Sequence, residues 1–513
     1  MKKDYSQVQQ DYLAQANSLK AKGDEYYWLQ YELDSAFSSY GEALKLFQQI
    51  GDKSGEANVL KSIGDVQQFR DERDAALASY SEALKLFRQI GDKSGEANVL
   101  QAIGDVQNFR KEMDAALASY SQALNLFRQV GAKLGEANVL KAIGDVQQFR
   151  DDRDAALASY GEALKLFRQV GAKLGEANVL KSIGDVQQFR DDRDAALASY
   201  SEALKLFRQV GAKLGEANVL KSIGDVQQFR DERDAALASY SEALKLFRQI
   251  GDKLGEANVL KSIGDVQQFR DERDAALASY SEALKLFRQV GAKLGEANVL
   301  QAIGDVQNFR KEMDAALGSY SEALKLFRQV GAKLGEANVL QAIGDVQNFR
   351  KEMDAALGSY SEALKLYRQV GAKLGEANVL KSIGDVQQFR DETEAAIDSY
   401  FESIQLFRQV GDKLGEANVL QSQGRAFLYS GQGEKGLALL QNALEIYENI
   451  GSITGEANVY FLIGQILATN KQFTEAVSVL EKAVKLGFEI DPNHPVTQYM
   501  QKFLDDTRTQ VTK

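Results

Sequence analysis

Residues 51–90 read GDKSGEANVLKSIGDVQQFRDERDAALASYSEALKLFRQI, and residues 91–130 nearly repeat them as GDKSGEANVLQAIGDVQNFRKEMDAALASYSQALNLFRQV. The same 40-residue unit returns without a gap up to Ile490, in eleven copies that begin at Gly51, Gly91, Gly131 and onward to Gly451. A degenerate twelfth copy precedes them, ending in SSYGEALKLFQQI at residues 38–50. A period in this range marks a solenoid, because each unit buries its apolar face only against its neighbours. No linker interrupts the array, so the 513 residues do not divide into the three or four globular domains that such a length otherwise suggests.

Two helices are legible in each unit. Asp52 is a good N-cap, after which Ala57, Leu60, Ile63 and Gly64 recur at helical spacing. Arg70-Asp71-Glu72 breaks the pattern, and Asp71 is expected to cap a second helix carrying Ala76, Tyr80, Ala83, Leu84 and Phe87 on one face. Gly91 closes that helix, as a C-terminal glycine should. Where Ala132 and its like replace Asp52 the cap is lost, and packing must hold the helix.

Composition excludes several classes of chemistry. The chain has no Cys, so neither a disulfide framework, a thiolate nucleophile nor a Cys-ligated zinc is available. His494 is the single histidine, which leaves no Ser-His-Asp triad or multi-His metal site. Lys plus Arg is 62 against 73 for Asp plus Glu, a net charge of −11, and the signs alternate without a basic block, so nucleic acid is not an expected partner. The N-terminus lacks a signal-peptide core and no stretch approaches the ~20 apolar residues of a membrane span. A cytoplasmic protein without membrane contact is expected. The carboxylates lie on solvated faces, not in apolar settings that raise a pKa; we expect no catalytic residue, no metal, no cofactor and no enzymatic activity.

The offsets of Leu60, Ile63-Gly64, Ala76, Tyr80 and Ala83 resemble those of the tetratricopeptide (TPR) family, and they recur as far as Ala476 and Ala483. The 40-residue length and the GDK-x-GEA connector are most similar to the long-repeat subclass, which includes the spindle-orientation adaptors (Pins/LGN) and bacterial multi-repeat proteins. The resemblance implies an all-α, right-handed superhelical α-solenoid of about 12 helix pairs with a C-terminal capping helix. Residues 1–50 then form a degenerate capping repeat, 51–410 nine near-identical repeats, 411–490 two divergent repeats, and 491–513 a capping helix and tail. Gly64 and Ala76 are expected where the two helices approach most closely, with Tyr80 filling the hole beside them. The chain departs from the family at Gln67, Asp71 and Arg73, where the usual pattern has a Tyr, a Gly and an aromatic, and Phe69 is the expected substitute in the core. In the last two units Asp65's equivalents become Arg425 and Gln465, and Tyr80's become Leu440 and Leu480.

In arrays of this family the first helix of each pair lines the concave surface. Carried over by position, that puts Asn58, Lys61, Asp65 and Gln68 in the groove, with Phe69 at its rim. The Asn recurs as Asn98, Asn138, Asn178, Asn218, Asn258, Asn298, Asn338 and Asn378, and again at Asn418 and Asn458. Asn is a mediocre helix former, so its presence in every first helix works against local propensity. Its amide can hold the N–H and C=O of an extended peptide together, a use the resemblance implies; bonding within the scaffold is the other open role. Lys61 and Asp65, like Lys141 with Asp145 and Lys181 ahead of Asp185, stand four apart on one helix face and suit a solvated ion pair. Asp105 belongs to a second version of the unit, in which Gln101 replaces Lys and Asn108 replaces Gln. The aromatic cluster Tyr26, Tyr27, Trp28 and Tyr31 is expected to cap the first helix pair.

These readings point to a non-enzymatic scaffold that binds an extended peptide or a helix of a protein partner. Helix layers ~10 Å apart would offer one Asn per three or so residues of an extended chain. The alternative is a structural spacer that self-associates as a homo-oligomer through its terminal repeats.

Overall fold

A computed structural model describes residues 5–511. Among the described residues there are 25 α-helices and no strand. The chain falls into two compact units, Met1–Gly255 and Glu256–Lys513. In the first unit, helices Tyr5–Glu25 and Leu33–Ile50 form an opening pair joined through a π-helical turn at Tyr26–Gln30, and Lys53–Phe69 with Arg73–Ile90 begin the regular series. In the second unit the series runs to Ile453–Thr469 with Phe473–Ile490, followed by a closing helix Pro495–Val511.

The local chemistry explains each boundary. Asp52 accepts hydrogen bonds from the backbone N–H of Ser54 and Gly55, both at 3.1 Å, which satisfies two donors that the helix itself cannot. Gly51 takes a left-handed φ of 74°. Its N–H donates to the Gln48 carbonyl and that of Asp52 to Phe47, the paired arrangement that ends a helix at glycine. The loop inside each pair is built the same way, and this corrects one expectation. Asp71 does not cap the second helix. It lies at φ 66°, its N–H donates to the Gln68 carbonyl and that of Glu72 to Gln67, so it terminates the first helix in the place the family gives to glycine. Lys111, Lys311 and Lys351 hold the same left-handed position at φ 61–62°.

Packing within a pair follows the expectation from the sequence. A Cβ on Gly64 would lie 2.5 Å from Cε1 of Tyr80, so the ring occupies the space a side chain would need. Tyr80, Ala57, Ala76 and Ala83 are all fully buried. Between repeats, Phe47 of one second helix fills the space over Gly55 of the next first helix, where a Cβ would come within 2.2 Å of the ring. Gln67, at the position of the family's usual Tyr, accepts a hydrogen bond from the Ser79 hydroxyl at 2.7 Å; a polar link replaces an aromatic contact.

The ends differ. Tyr26 and Tyr27 pack against the core around Ala16, Ala36 and Tyr40, while Trp28 and Tyr31 are exposed, so half of the aromatic cluster covers the first pair and half faces solvent. At the other end Met500 and Leu504 of the closing helix pack on Leu480, Ala483 and Val484. His494 sits in the turn before that helix, its Nδ1 accepting from the Val496 N–H at 3.3 Å.

Candidate interaction surface

The first helix of every pair turns one face away from its partner, and that face carries the polar residues singled out in the sequence. Ala57, Val59, Leu60, Ile63, Gly64 and Val66 are buried on Lys53–Phe69, which leaves Asn58, Lys61, Asp65 and Gln68 between them, exposed or half-buried. Within the first unit, hollows open between consecutive first helices. One of about 520 Å³ is lined by Lys61, Asp65, Gln68, Phe69 and Phe109. The same hollow recurs with about 490 Å³ around Asp185, Gln188, Phe189 and Phe229.

Ten of the eleven Asn residues at this position, all but Asn458, fall into three groups. Asn58 and Asn98 donate to the Ser54 and Ser94 carbonyls of their own helix, at 2.9 and 3.0 Å. Asn338 accepts from the Tyr367 hydroxyl at 2.8 Å, and Asn418 from Tyr447 at 2.7 Å. Each of those hydroxyls also reaches a Gln, Gln341 or Gln421. Among the described residues, Asn138, Asn178, Asn298 and Asn378 are exposed and Asn218 and Asn258 half-exposed, and no intramolecular hydrogen bond engages these six amides.

The charged positions do two jobs. Lys61, Lys141 and Lys181 each pair with the Asp four residues on, at 2.7, 2.6 and 2.7 Å. The other carboxylate oxygen of Asp65 accepts from the Tyr80 hydroxyl at 2.8 Å, and Gln68 stands 2.9 Å from the same hydroxyl. Asp145 holds Tyr160 in the same way. The second version of the unit lacks both supports. Asp105 accepts from Tyr120 at 2.7 Å, but Gln101 offers no charge and Asn108 is too short to share the hydroxyl. Desolvation there pushes the Asp105 carboxyl up to about 6, which corrects the expectation that the carboxylates all lie on solvated faces. Asp305 shifts in the same direction for the same first cause. Asp345 does too, although its residue is the more open to solvent. Burial and the neighbouring carboxylate push the core tyrosines upward, so they remain neutral donors.

The tyrosine–aspartate link was readable in the sequence but only as a pair. Where Tyr gives way to Leu440 and Leu480, Asp gives way to Arg425 and Gln465. The two positions, 15 residues apart, change together because a buried hydroxyl requires an acceptor. Phe69 is a correction. It is not a core substitute: Phe69, Phe109, Phe149, Phe189 and Phe229 are 62–68% exposed. They project at the loop end of each pair, and the Arg73 guanidinium lies 4.0 Å from the Phe109 ring centroid, a cation–π contact that needs an accessible ring.

Paired helices of this kind, repeated with glycine-to-aromatic closure and a polar face on the first helix, define an α-helical repeat protein. The tetratricopeptide repeat profile matches residues 95–169, 135–209, 175–249, 215–289, 295–369 and 415–486, well over half of the chain, and the chain belongs to that family. Protein-interaction scaffolding is the function class that this membership supports. No curated relative matches the sequence. Among solved structures, the apo form of RapI is 14% identical with a TM-score of 0.45, over 54% of this chain and 99% of its own. Cut9-Hcn1 from the APC/C hetero-tetramer is 16% identical with a TM-score of 0.41, over 97% and 98%. BtubC (BKLC) of P. vanneervenii is 16% identical with a TM-score of 0.39, over 42% and 91%. Among the described residues no helix is long and apolar enough to cross a membrane, and no group of three or more His, Asp or Glu is placed to hold a metal ion.

Proposed function

We propose that the chain is a cytoplasmic, non-enzymatic scaffold that holds an extended peptide of a partner protein along the first-helix face of its repeats, as in the Pins/LGN-like long-repeat subclass it resembles. The observation that carries this reading is the state of Asn138, Asn178 and Asn218. Their amides meet solvent, bond to nothing within the chain, and recur once per repeat. An exposed amide meets water and leaves no buried group unsatisfied, so it costs the fold only a little helix propensity, yet it supplies a donor and an acceptor to any backbone laid beside it. The Lys–Asp pairs alongside would take part through the Lys ammonium, since Asp65 and its equivalents are already engaged by Tyr. In the first unit the free amides of Asn138, Asn178 and Asn218 supply this ladder, one per repeat.

The test is the triple substitution of Asn138, Asn178 and Asn218 by Ala, after a partner has been captured on the full chain and identified by mass spectrometry. Affinity should fall by about 0.5–1.5 kcal/mol for each hydrogen bond lost. Thermal stability should hold or rise slightly, because Ala is the better helix former. Lost stability with unchanged affinity would end the groove reading at these positions.

A further inference from the structure

Each regular repeat from the one at Gly131 onward bears two exposed apolar groups that the Asn ladder does not use, one at either end of its first helix. In the first unit, Phe149, Phe189 and Phe229 end their helices and are 65, 68 and 67% exposed. In the first turn of the same helices stand Leu134, Leu174 and Leu214, each 51% exposed. A 17-residue helix puts some 25 Å between its ends, so the rings and the leucines mark opposite edges of the array. Both stripes recur once per repeat and therefore share one pitch.

The two edges are complementary in shape and in charge. Hollows separate the rings: one of about 310 Å³ lies between Phe149 and Phe189, floored by Val186, and one of about 490 Å³ between Phe189 and Phe229, floored by Val226. Each is ample for a leucine side chain. On the Phe edge the loop RDDRD, residues 150–154, has two cations and three carboxylates, a net −1. On the Leu edge Arg128 pairs with both Glu136 and Glu162, while the Lys133 ammonium bonds the neutral Gln169, so Lys133 is the cation that remains for a partner. The same pairing holds in the repeats that start at Gly171 and Gly211, where Arg168 and Arg208 each meet two glutamates and Ala172 and Ala212 again replace the acidic cap. The area is also sufficient. Five rings from Phe69 to Phe229, about two-thirds exposed, offer roughly 500–800 Å². A standard interface buries ~800 Å² per partner, and monomers seldom leave that much apolar surface uncovered.

We propose that a second copy of this chain covers the Phe edge. Its Leu134, Leu174 and Leu214 seat in the hollows between successive phenylalanines, and Lys133, Lys173 and Lys213 meet Asp151, Asp191 and Asp231, sharing carboxylates that already pair with Arg153, Arg193 and Arg233. The contact joins unlike edges, so each bound copy still presents a free edge and association continues into rows; a closed dimer is not its end point. The hollows it fills also carry Asp185 and Gln188 of the first-helix face, so a second copy and a bound peptide would compete there, but the inference does not require that a peptide binds.

The chain itself supplies the test variants. Leu134→Ser, Leu174→Ser and Leu214→Ser import the residue found at Ser54 and Ser94. Asp151→Lys, Asp191→Lys and Asp231→Lys import the residue found at Lys111, which already tolerates the left-handed backbone. Sedimentation velocity of the full chain should show association that grows with concentration and weakens with salt. Either triple variant alone should move the association midpoint at least ~tenfold. A mixture of the two variants should associate more tightly than either variant alone, because one keeps the Phe edge of the first unit and the other keeps its Leu edge. A native chain that stays monomeric throughout overturns the proposal. So does self-association that neither triple variant weakens, which would place the contact away from these two edges, and so does a mixture that associates no more tightly than either variant alone.

Discussion

The repeats from Gly51 to Val410 and the two that follow to Ile490 fill the same hole in two ways. In the repeat starting at Gly171, Tyr200 lies against Gly184, where a Cβ would come 2.6 Å from the ring, and its hydroxyl donates to Asp185 at 2.8 Å. In the last repeat Leu480 lies against Gly464, where a Cβ would again come 2.6 Å from the side chain, and Gln465 replaces the acid. Both large side chains are fully buried. The glycine thus belongs to the fold, since either filler demands it, whereas the aspartate belongs to the tyrosine. The acidic ladder along the first-helix face is therefore first a means of satisfying buried hydroxyls.

Deletions sharpen this contrast most strongly. Removing residues 171–210 joins Val170 to Gly211, a junction equivalent to the one lost, so the shortened chain should melt cooperatively within a few degrees of the native protein. Removing residues 411–450 should be far more damaging. There Tyr400, Ile404 and Phe407 pack with Leu420 and Leu440, a set of side chains that Gly451 onward does not reproduce. Removing only 191–210 exposes an apolar helix face and should cause aggregation. Circular dichroism melts check all three, and equal tolerance of them would break the nearest-neighbour account.

The two versions of the regular repeat give the next largest effect. Tyr200 has a second acceptor in Gln188, 3.0 Å away, whereas Tyr120 has Asp105 alone. Asp105→Leu should therefore cost about 1–3 kcal/mol, the penalty for a buried hydroxyl left unsatisfied, and Asp185→Leu distinctly less. Adding Tyr120→Phe to Asp105→Leu should recover most of the loss, because the hydroxyl that needed an acceptor is gone. A double variant no more stable than Asp105→Leu would mean that the carboxylate supports something other than the tyrosine.

Much of this was legible before any coordinates, and the reasons are physical. The period, the glycine beside the tyrosine and the capping Asp52 are local, steric or repeated signals, so Gly64, Tyr80 and Asp52 sit where the sequence places them. The loop was misread at Asp71 because aspartate serves both as an N-cap and as a left-handed residue, and propensity alone does not choose between them. Phe69 was misread because hydrophobicity suggests burial, yet burial depends on which side of the helix end the next pair occupies. The Asn positions divide into bonded and free only through partners such as Tyr367, 29 residues away, which no helical periodicity reveals.

Charge at Asp105 sharpens the comparison further. Its carboxyl titrates near 6 in the folded chain against an ordinary 3.8, so the folded state pays for ionisation. The group's contribution to stability is greatest below the ordinary value and is lost as pH rises through about 6. Asp105→Asn keeps an acceptor for Tyr120 and removes the charge. It should stabilise the chain above that pH by on the order of 1–2 kcal/mol, less than full linkage because the site is open to water on one side, and should leave acidic stability unchanged. Asp145→Asn, which forfeits the pair with Lys141, should show no such gain. Melting temperatures of both variants across the acidic to neutral range decide it; parallel curves for the native chain and Asp105→Asn would refute the assignment.

The smallest effect lies in the loop that separates the two versions. Lys111 holds a left-handed backbone at φ 61°, a conformation that costs a non-glycine residue about 1–2 kcal/mol. At the same place in the repeat starting at Gly411, the chain uses Gly431 at φ 78°. Lys111→Gly relieves the strain but gives the unfolded chain more freedom, which returns about 0.5–1 kcal/mol. The expected net gain is therefore about 0.5–1 kcal/mol. At Asp151, φ 63°, the gain should be smaller, since aspartate tolerates this region better and its carboxylate pairs with Arg153 at 2.8 Å. The order Lys111→Gly above Asp151→Gly in melting temperature is the readable outcome. The reverse order would show that the lysine side chain, not the backbone, governs this turn.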